Sequence, residues 1–283
     1  NRMEYEAIIK NIRFSKKSFP VRFAYTKNIE SPENHKLHIN KFLEIYIYVK
    51  GDADYIVGDS YFTLKRGDIV LINQYETHKA VLKKRCFYER FYILVPIDSF
   101  DDFYFNPLDK INKKLVSLEK DEREHALSIL YEIAATLKED ENEEGCFKAY
   151  GLFLEFLSLV SSAFSKGDNT AKEQERPSRL PKYISEILKY IDQNAAKIES
   201  VEELARRFGL SMPYLSSTFK SKIGTPIKSY IQAKKIAYAK ELLDNDYSVT
   251  DACYECGFND CSYFIKVFKR HIGVTPYRYK NAQ

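Results

Sequence analysis

The sequence predicts an α+β chain, with a strand-rich N-terminal part followed by a helical C-terminal part. Six short segments rich in Ile, Val, Tyr and Phe fall between residues 41 and 95, separated by Gly, Asp and Asn. Two related helical motifs, 48 to 49 residues apart, fill residues 200 to 276. At 283 residues the chain is longer than one core usually needs, which favours two domains.

The N-terminal segments predict a small β-barrel or jelly roll. The six expected strands are 41–49, 53–58, 60–64, 68–73, 78–82 and 87–95. Gly58 and Asp59 form a two-residue hairpin signal, and Lys65–Asp68 marks another turn. Six strands so closely spaced favour a closed or double-sheet architecture.

Polar and aromatic residues alternate along two of these strands. Glu44, Tyr46 and Tyr48 share one face, as do Tyr88, Arg90 and Tyr92. If these faces line the barrel interior, they form a pocket suited to a sugar, because tyrosine rings stack on C–H faces and charged groups bind hydroxyls. In the alternative, this alternation faces solvent, and Ile45, Ile47 and Val49 fill the core.

Two helices are expected after the strands, at Asp121–Asp140 and Cys146–Lys166, with the loop "EDENEEG" between them. Apolar stripes mark the first (Leu127, Leu130, Ile133, Ala134, Leu137) and the second (Phe147, Leu152, Phe156, Leu159, Val160, Phe164). The stretch after them is almost without apolar residues and predicts a flexible linker. The expected domains are 1–166, a linker 167–180, and 181–283.

Each C-terminal motif predicts a helix-turn-helix unit. Ser200 and Ser248 are candidate N-caps, and Gly209 and Gly257 fit the left-handed position that ends a short helix. Ser211 and Asp260 can cap the second helices, whose apolar residues recur at i, i+4 and i+8. These residues are Leu215, Phe219 and Ile223 in the first unit and Phe264, Phe268 and Ile272 in the second.

Pro226–Asp244 predicts a helix between the two units. About 19 residues span roughly 28 Å, close to one turn of DNA at roughly 34 Å. Two second helices held so far apart could enter successive major grooves of one duplex.

The charge distribution agrees with a nucleic-acid partner for the C-terminal part. Residues 177–283 hold 17 Lys and Arg against 11 Asp and Glu, a net +6, whereas residues 1–176 hold 27 against 29, a net −2.

The C-terminal stretch resembles the DNA-binding domain of the AraC/XylS family of bacterial transcription regulators. The resemblance rests on "YLSSTFKSKIGTPIKSYI", "AKKIAYAKELLDNDYSVTDACYECGFND" and "SYFIKVFKRHIGVTPYRYK". It implies DNA contacts from Pro213, Tyr214, Ser216, Ser217, Lys220, Asp260, Cys261, Ser262, Lys266 and Lys269. Ser217 and Lys266 stand where relatives often have Arg, which reads bases with better-defined geometry. Arg206, Arg207, Lys234 and Lys235 are expected to lie near phosphates or in solvent.

The N-terminal part resembles the cupin-type effector domain of such regulators, through "LEIYIYVKGDADYIVGDSYFTL" and "RGDIVLINQYETHKAV". His38, Glu44 and His78 align with three cupin metal ligands, but Asn40 stands where cupin enzymes have another His. Three readings stay open for these residues: a metal site, polar groups of a small-molecule pocket, or structural hydrogen bonding. The effector residues expected are His38, Glu44, Tyr46, His78, Tyr88 and Arg90.

The resemblance implies a cytoplasmic DNA-binding regulator that responds to a sugar or related molecule, pairs as a homodimer and, if an activator, contacts RNA polymerase. No cofactor, metal or membrane partner is expected. The five cysteines fit free thiols, including those of Cys253-x2-Cys256-x4-Cys261. The alternatives are a metal-dependent cupin enzyme with an appended DNA-binding module, and a regulator controlled by a protein partner.

Overall fold

The structure, a computed structural model, describes residues 6–12, 21–40, 42–96, 114–139, 143–170 and 180–281. All six expected strands are confirmed, and three further strands join them. The strands are β1 Glu6–Ile12, β2 Val21–Glu30, β3 Leu43–Lys50, β4 Ala53–Val57, β5 Ser60–Thr63, β6 Ile69–Ile72, β7 His78–Leu82, β8 Cys86–Val95 and β9 Leu115–Val116.

The strands form two antiparallel sheets. One has the order β1-β2-β8-β3-β6-β9, and the other has the order β5-β4-β7. The β4–β5 hairpin turns at Gly58 and Asp59 as expected, with Val57 paired to Ser60 and Gly58 at φ +59°. This turn needs a positive φ, which glycine adopts without a steric penalty.

Both faces of β3 are buried, whereas each of the two interpretations of its sequence assigned only one of its faces to the interior. Ile45, Ile47 and Val49 pack under the helices that follow the barrel. Tyr46 and Tyr48 pack inside the barrel, between the two sheets. The alternative in which the Tyr46 and Tyr48 face meets solvent is wrong, because the small sheet covers it with Tyr55, Ala80 and Leu82.

Those helices are α1 Lys120–Glu139 and α2 Glu143–Thr170. The α1 stripe is buried, and Leu130 and Ile133 have no exposed surface. α2 contributes Phe153, Phe156 and Val160 to the same core. It begins three residues earlier than expected and runs to Thr170; residues 140–142 and 171–179 lie outside the described residues.

In the described part of the chain, one stretch, Glu143–Ala163, is long and apolar enough by length and composition to cross a membrane. Core helices of ordinary folded proteins meet the same test. Here one side of the stretch packs in the barrel–helix core, and 33% of it is buried. The remaining apolar surface lies on the outside of the protomer.

The C-terminal part is helical. Its helices are α3 Lys182–Asn194, α4 Val201–Arg207, α5 Met212–Ile223, α6 Ile227–Asp244, α7 Val249–Glu255, α8 Cys261–Ile272 and α9 Pro276–Lys280. α3 packs with α4 and α5 through Ile184, Ile187 and Ile191. The two units α4–α5 and α7–α8 are joined by α6, which at 18 residues is about 27 Å long.

The barrel is docked against the helical part. Ile56 of β4 and Val81 of β7 share a core with α3 and α5. The Tyr230 hydroxyl of α6 donates to the Gly58 carbonyl. At the other end of α6, the Lys240 ammonium lies 4.5 Å from the centre of the Tyr75 ring. Both ends of the helix between the two units therefore contact the barrel.

Gly209 and Gly257 occupy the expected left-handed positions, at φ +66° and +77°. Their surroundings differ: a Cβ on Gly209 would meet nothing within 4 Å, whereas one on Gly257 would overlap the Ala196 carbonyl. The two glycines therefore form a matched pair in which only one is confined by a neighbour.

We expect Gly209→Ala to lower the free energy of unfolding of the helical part by about 1–2 kcal/mol, the cost of a left-handed non-glycine residue. Gly257→Ala adds an overlap that the Ala196 backbone must relieve, so we expect a loss of about 3 kcal/mol or more. Denaturant unfolding of the full chain followed by circular dichroism measures both. Equal losses would contradict the close approach at Gly257.

Candidate DNA-binding surface and effector pocket

The first helix-turn-helix unit is built by local capping and a buried stripe. The Ser200 hydroxyl accepts from the Glu203 amide at 3.0 Å, and that of Ser211 accepts from the Tyr214 amide at 3.4 Å. Leu215, Phe219 and Ile223 are fully buried, as expected. The stripe fixes which face of α5 turns inward, so the opposite face is left to solvent.

The five expected contact residues of the first unit lie on the outer side of α5 or at its start. Pro213, Tyr214, Ser217 and Lys220 are exposed, and Ser216 is half-buried. The Tyr214 hydroxyl lies 3.0 Å from the Tyr183 hydroxyl of α3, which orients the ring at the edge of this surface.

The second unit repeats the arrangement. The Ser248 hydroxyl accepts from the Asp251 amide at 3.0 Å. Asp260 caps α8, accepting from the amides of Ser262 at 2.7 Å and Tyr263 at 3.2 Å. Because its Oδ1 already has two donors, Asp260 has a structural role in addition to its position at the surface.

The other expected contact residues of the second unit divide by exposure. Ser262, Lys266 and Lys269 are exposed on α8. Cys261 is half-buried and packs against the core that contains the buried thiols Cys253 and Cys256. Burial raises the pKa of Cys253 and of Cys256 to about 12, so both remain protonated thiols near pH 7.

A groove of about 740 Å³ separates the two units. Ser216 and Lys220 of α5 line one side of it, and Asn259 and Tyr263 line the other. The middle of α5 and the start of α8 therefore open to the same side of the molecule.

Two lysines expected in solvent or near phosphates are buried on α6 instead, and that expectation is wrong for them. Lys234 forms an ion pair with Asp192 of α3. The Lys235 ammonium donates to the Gly257 carbonyl at 2.7 Å and lies 5.6 Å from the centre of the Phe258 ring. Sequence periodicity did not reveal these partners because they come from other helices.

The barrel contains a pocket of about 520 Å³ between its two sheets. Four of the six expected effector residues line it: His38, Glu44, Tyr46 and Arg90. The other two, His78 and Tyr88, are fully buried behind this lining. The structure therefore brings all six together, four at the cavity surface and two as their supports.

His38, Glu44 and His78 place three possible metal-binding atoms within 4.8 Å of one another. The Nδ1 atoms of His38 and His78 lie 3.0 and 2.8 Å from the carbonyls of Lys36 and Glu76, which leaves both Nε2 atoms for other partners. His78 Nε2 lies 3.1 Å from Glu44 Oε2, and the Asn40 amide donates to the same oxygen at 2.9 Å. Asn40 therefore orients Glu44 rather than serving as a further imidazole ligand.

The ionisation of this cluster follows from burial and from the Glu44–His78 pair. Burial opposes the charge on Glu44, but His78, through its charge and hydrogen bond, together with His38 and Arg90 lowers the pKa of the carboxyl. Burial likewise opposes protonation of His78, and Glu44 raises its pKa. Burial, with His78 adjacent, lowers the pKa of His38 to about 4, so its ring is neutral near pH 7.

Tyr88 supports the opposite wall. Its hydroxyl bonds with that of Tyr46, and its ring lies beneath the Arg90 guanidinium, whose carbon is 4.9 Å from the ring centre. Tyr55 of β4 packs against Tyr46, with ring centres 4.3 Å apart. Tyrosine rings and an arginine thus form one continuous surface of the pocket.

Several lining residues were not named among the expected effector residues: Glu30, Asn34, His35, Lys36, Asn40, Tyr55, Lys79 and Tyr92. Most of them lie at the end of β2 or in the segment before β3, which has no regular period. One signal was available. Tyr92 continues the alternation of Tyr88 and Arg90, and that alternation predicted its face.

Strand β7 connects the pocket to the DNA-binding part. His78 points into the barrel, and Lys79 points to the opposite face. The Lys79 ammonium donates to the Gly224 carbonyl at 3.1 Å and to the Thr225 hydroxyl at 3.3 Å. These two residues form the turn between α5 and α6.

Comparisons with known proteins agree with this architecture. A family model described as a helix-turn-helix domain matches residues 204–282. The HTH-type transcriptional activator RhaS of Mannheimia succiniciproducens is 25% identical over 249 residues, which cover 84% of this chain and 87% of that protein. The regulatory protein PocR of Salmonella typhimurium is 30% identical over 110 residues, which cover 38% and 36%.

Among solved structures, wild-type ToxT of Vibrio cholerae bound to an unsaturated fatty acid aligns over 95% of this chain and 97% of its own, at 17% identity and a TM-score of 0.36. The matched domain model and the RhaS relatives, at 23–25% identity, make this chain similar to AraC/XylS-type DNA-binding transcription regulators.

Proposed function

We propose that this regulator binds promoter DNA sequence-specifically through α5 and α8 and responds to a small molecule, a sugar or related carbohydrate, held in the barrel. The observation that carries the proposal is that one chain combines two second helices with exposed outer faces and a barrel pocket lined by polar side chains. The RhaS relatives, which are named as activators, support activation in the cytoplasm with RNA polymerase as a partner.

The length of α6 supports insertion into successive major grooves. At about 27 Å, it separates the two units by nearly the roughly 34 Å between successive grooves on one side of a duplex. Its buried lysines and its contacts with the barrel hold that separation fixed. Base reading falls to Ser216, Ser217, Lys220, Ser262 and Lys266, and the other expected contact residues position the helices on the backbone.

The same proposal assigns residues 1–166 to effector binding and dimerisation, 167–180 to a linker and 181–283 to DNA binding. α2 continues to Thr170, so the start of the linker is helical. The domains nevertheless contact each other directly, and the response to effector need not pass through the linker.

We propose that Lys79 carries the response. It lies next to His78 on a five-residue strand, so a ligand that shifts β7 moves the contact with Gly224 and Thr225. The docked arrangement leaves the outer faces of α5 and α8 exposed. Docking therefore preorganises both units for DNA, and its loss costs affinity.

We also propose a homodimer through the outer face of α2. The apolar stripes expected on the two helices include Leu130 and Leu159, but Leu130 is fully buried and Leu159 packs against the same core. A charge at either position would disturb the fold itself. Among the described side chains of α2, the large apolar one that is exposed is Phe147, at 67%.

The His38, Glu44 and His78 cluster favours one second candidate, a metal-dependent cupin enzyme. We propose that the chain is not an enzyme, because its relatives are regulators and Glu44 already bonds with Asn40 and lies against His78. Turnover that depends on zinc, iron or manganese and disappears in His78→Ala would support the enzyme instead.

Lys266→Ala tests base reading by α8. We expect a loss of about 1–3 kcal/mol on operator DNA and a smaller loss on random DNA, because a base contact is made only with the correct sequence. Fluorescence anisotropy at fixed salt measures both. Lys182→Ala is the matched control: it removes one charge from a side chain that is 91% exposed on α3. Equal losses on both DNAs would assign Lys266 to the backbone.

Lys79→Met tests the coupling. The side chain is 3% exposed, and burial lowers the pKa of its ammonium to about 8, so an apolar replacement should leave stability nearly unchanged. We expect operator affinity of the full chain to fall about threefold to tenfold, or roughly 0.6–1.4 kcal/mol. Lys83→Met removes a more exposed lysine just after the same strand and should have no effect. An unchanged affinity in Lys79→Met would exclude the contact as a coupling element.

Phe147→Lys tests the dimer. A charge on the outer face of α2 should produce monomers, because burying it in a seam without a partner is costly. Light scattering of the full chain measures the mass. Tyr277→Lys is the control, because that side chain is 68% exposed on α9, outside the proposed seam. A persisting dimer would mean that another surface pairs the subunits.

A further inference from the structure

The guanidinium of Arg90 lies in the barrel pocket, and none of the described carboxylates forms an ion pair with it. Arg90 lines the cavity from β8. Its guanidinium packs on the Tyr88 ring, and in the described part of the chain no carboxylate oxygen lies within 4.0 Å of it. A guanidinium has five donors in a planar fork. One of them is used in a side-chain hydrogen bond with Tyr88, which leaves others for an occupant of the pocket.

The two acids of the pocket are already engaged. Glu44 pairs with His78 at 3.1 Å and accepts from Asn40. Glu30, at the pocket rim, accepts from the side-chain amides of Asn28 and Asn34, each at 3.0 Å. Neither carboxylate is within ion-pair distance of Arg90, so neither neutralises it directly.

The other titratable groups of the pocket do not supply a negative charge. Burial raises the pKa of Tyr46 and of Tyr55 well above that of an ordinary phenol, so both remain neutral hydroxyls. Burial lowers the pKa of His35 and of His38 to about 4, so both rings are neutral near pH 7. The lining also includes Lys36 and Lys79, and the Lys79 ammonium donates to Gly224 and Thr225 outside the pocket. On the β8 wall, Arg90 is a charged donor among neutral hydroxyls and imidazoles.

A second polar group in the lining lacks a partner. His35 Nε2 is buried, and among the described residues it has no hydrogen-bond partner. Buried polar atoms of this kind are nearly always satisfied, by protein, water or ligand. An occupant with a hydroxyl group would satisfy it.

We propose that the effector is a small hydroxy acid of the sugar-acid class, whose carboxylate binds Arg90 and whose hydroxyls reach His35. The inference rests on the proposed effector function and narrows it from carbohydrates in general to acids. An arginine fork binds a planar carboxylate with two parallel hydrogen bonds, and the tyrosine rings offer stacking surface for the carbon chain. A pocket of about 520 Å³ falls within the range of known small-molecule sites, roughly 300–1,000 Å³.

The test compares acids with their neutral counterparts on the full chain. Gluconate, glucuronate, galacturonate and glycolate are set against glucitol, glucose, galactose and ethylene glycol, at an ionic strength held constant with sodium chloride. Thermal unfolding and calorimetry give dissociation constants. We expect at least one acid to bind roughly tenfold or more tightly than its counterpart, and Arg90→Met to weaken that acid by roughly tenfold or more.

Three controls distinguish the loss of the Arg90 charge from a loss of folded structure. Arg66→Met removes an arginine of the same barrel, whose side chain is 48% exposed and pairs with Glu124, and should leave acid binding unchanged. Arg90→Lys keeps the charge without the fork and should retain part of the affinity. Circular dichroism and operator binding show whether each variant is folded.

The outcomes are distinct. A neutral sugar that binds as tightly as its acid, with no effect of Arg90→Met, overturns the carboxylate site and leaves the sugar-responsive regulator standing. If no acid binds, the carboxylate site is overturned as well. If neutral sugars also fail to bind while operator binding persists, the proposed sugar effector is overturned too. Loss of sequence-specific DNA binding in the wild type is a failure of the proposed function alone.

Discussion

The alternation of side chains along β7 is the constraint on which both halves of the molecule depend. His78, Ala80 and Leu82 point into the barrel, while Lys79 and Val81 point to the helices of the DNA-binding part. A pleated strand cannot move one set without the other, since a one-residue slip would exchange the two faces. Effector pocket and DNA-binding part are thus separated by the thickness of one strand, and the same backbone holds a wall of each.

α6 imposes the second constraint, because three of its lysines anchor it to three different elements. Lys234 pairs with Asp192 of α3, Lys235 bonds to the carbonyl of Gly257 at the end of the α7 turn, and Lys240 lies against Tyr75 of the barrel. Each ammonium is largely buried, and removing any of these partners would leave a charge without solvation. In the proposed response, a helix fixed at these three points would transmit movement of the barrel to the spacing of α5 and α8.

Local signals predicted the elements, and non-local contacts decided what the elements do. Each confirmed signal is local, because it depends on about a dozen neighbouring residues. These signals are the serine caps, the glycines at left-handed positions, and the i, i+4 stripes of α5 and α8. The position of Lys234 depends on Asp192, 42 residues away, and that of Lys79 on Gly224, 145 residues away, so no pattern around either lysine predicts its burial. Apart from His38, the lining residues between Glu30 and Asn40 were missed for a related reason: that segment shows neither the strand period nor the helix period, and contacts with other strands order it.

The charges around the pocket explain how binding and response can be one event. Glu44 and His78 compensate each other across the wall that β7 provides, and burial leaves the Lys79 ammonium only weakly basic on the outer side. Arg90 stands apart on β8, which is hydrogen-bonded to β3, the strand that carries Glu44. In the proposed response, an occupant that draws in Arg90 would shift β3, and through Glu44 would shift His78 and β7. Two strands separate Arg90 from Lys79, which contacts the turn before α6, so this path is short.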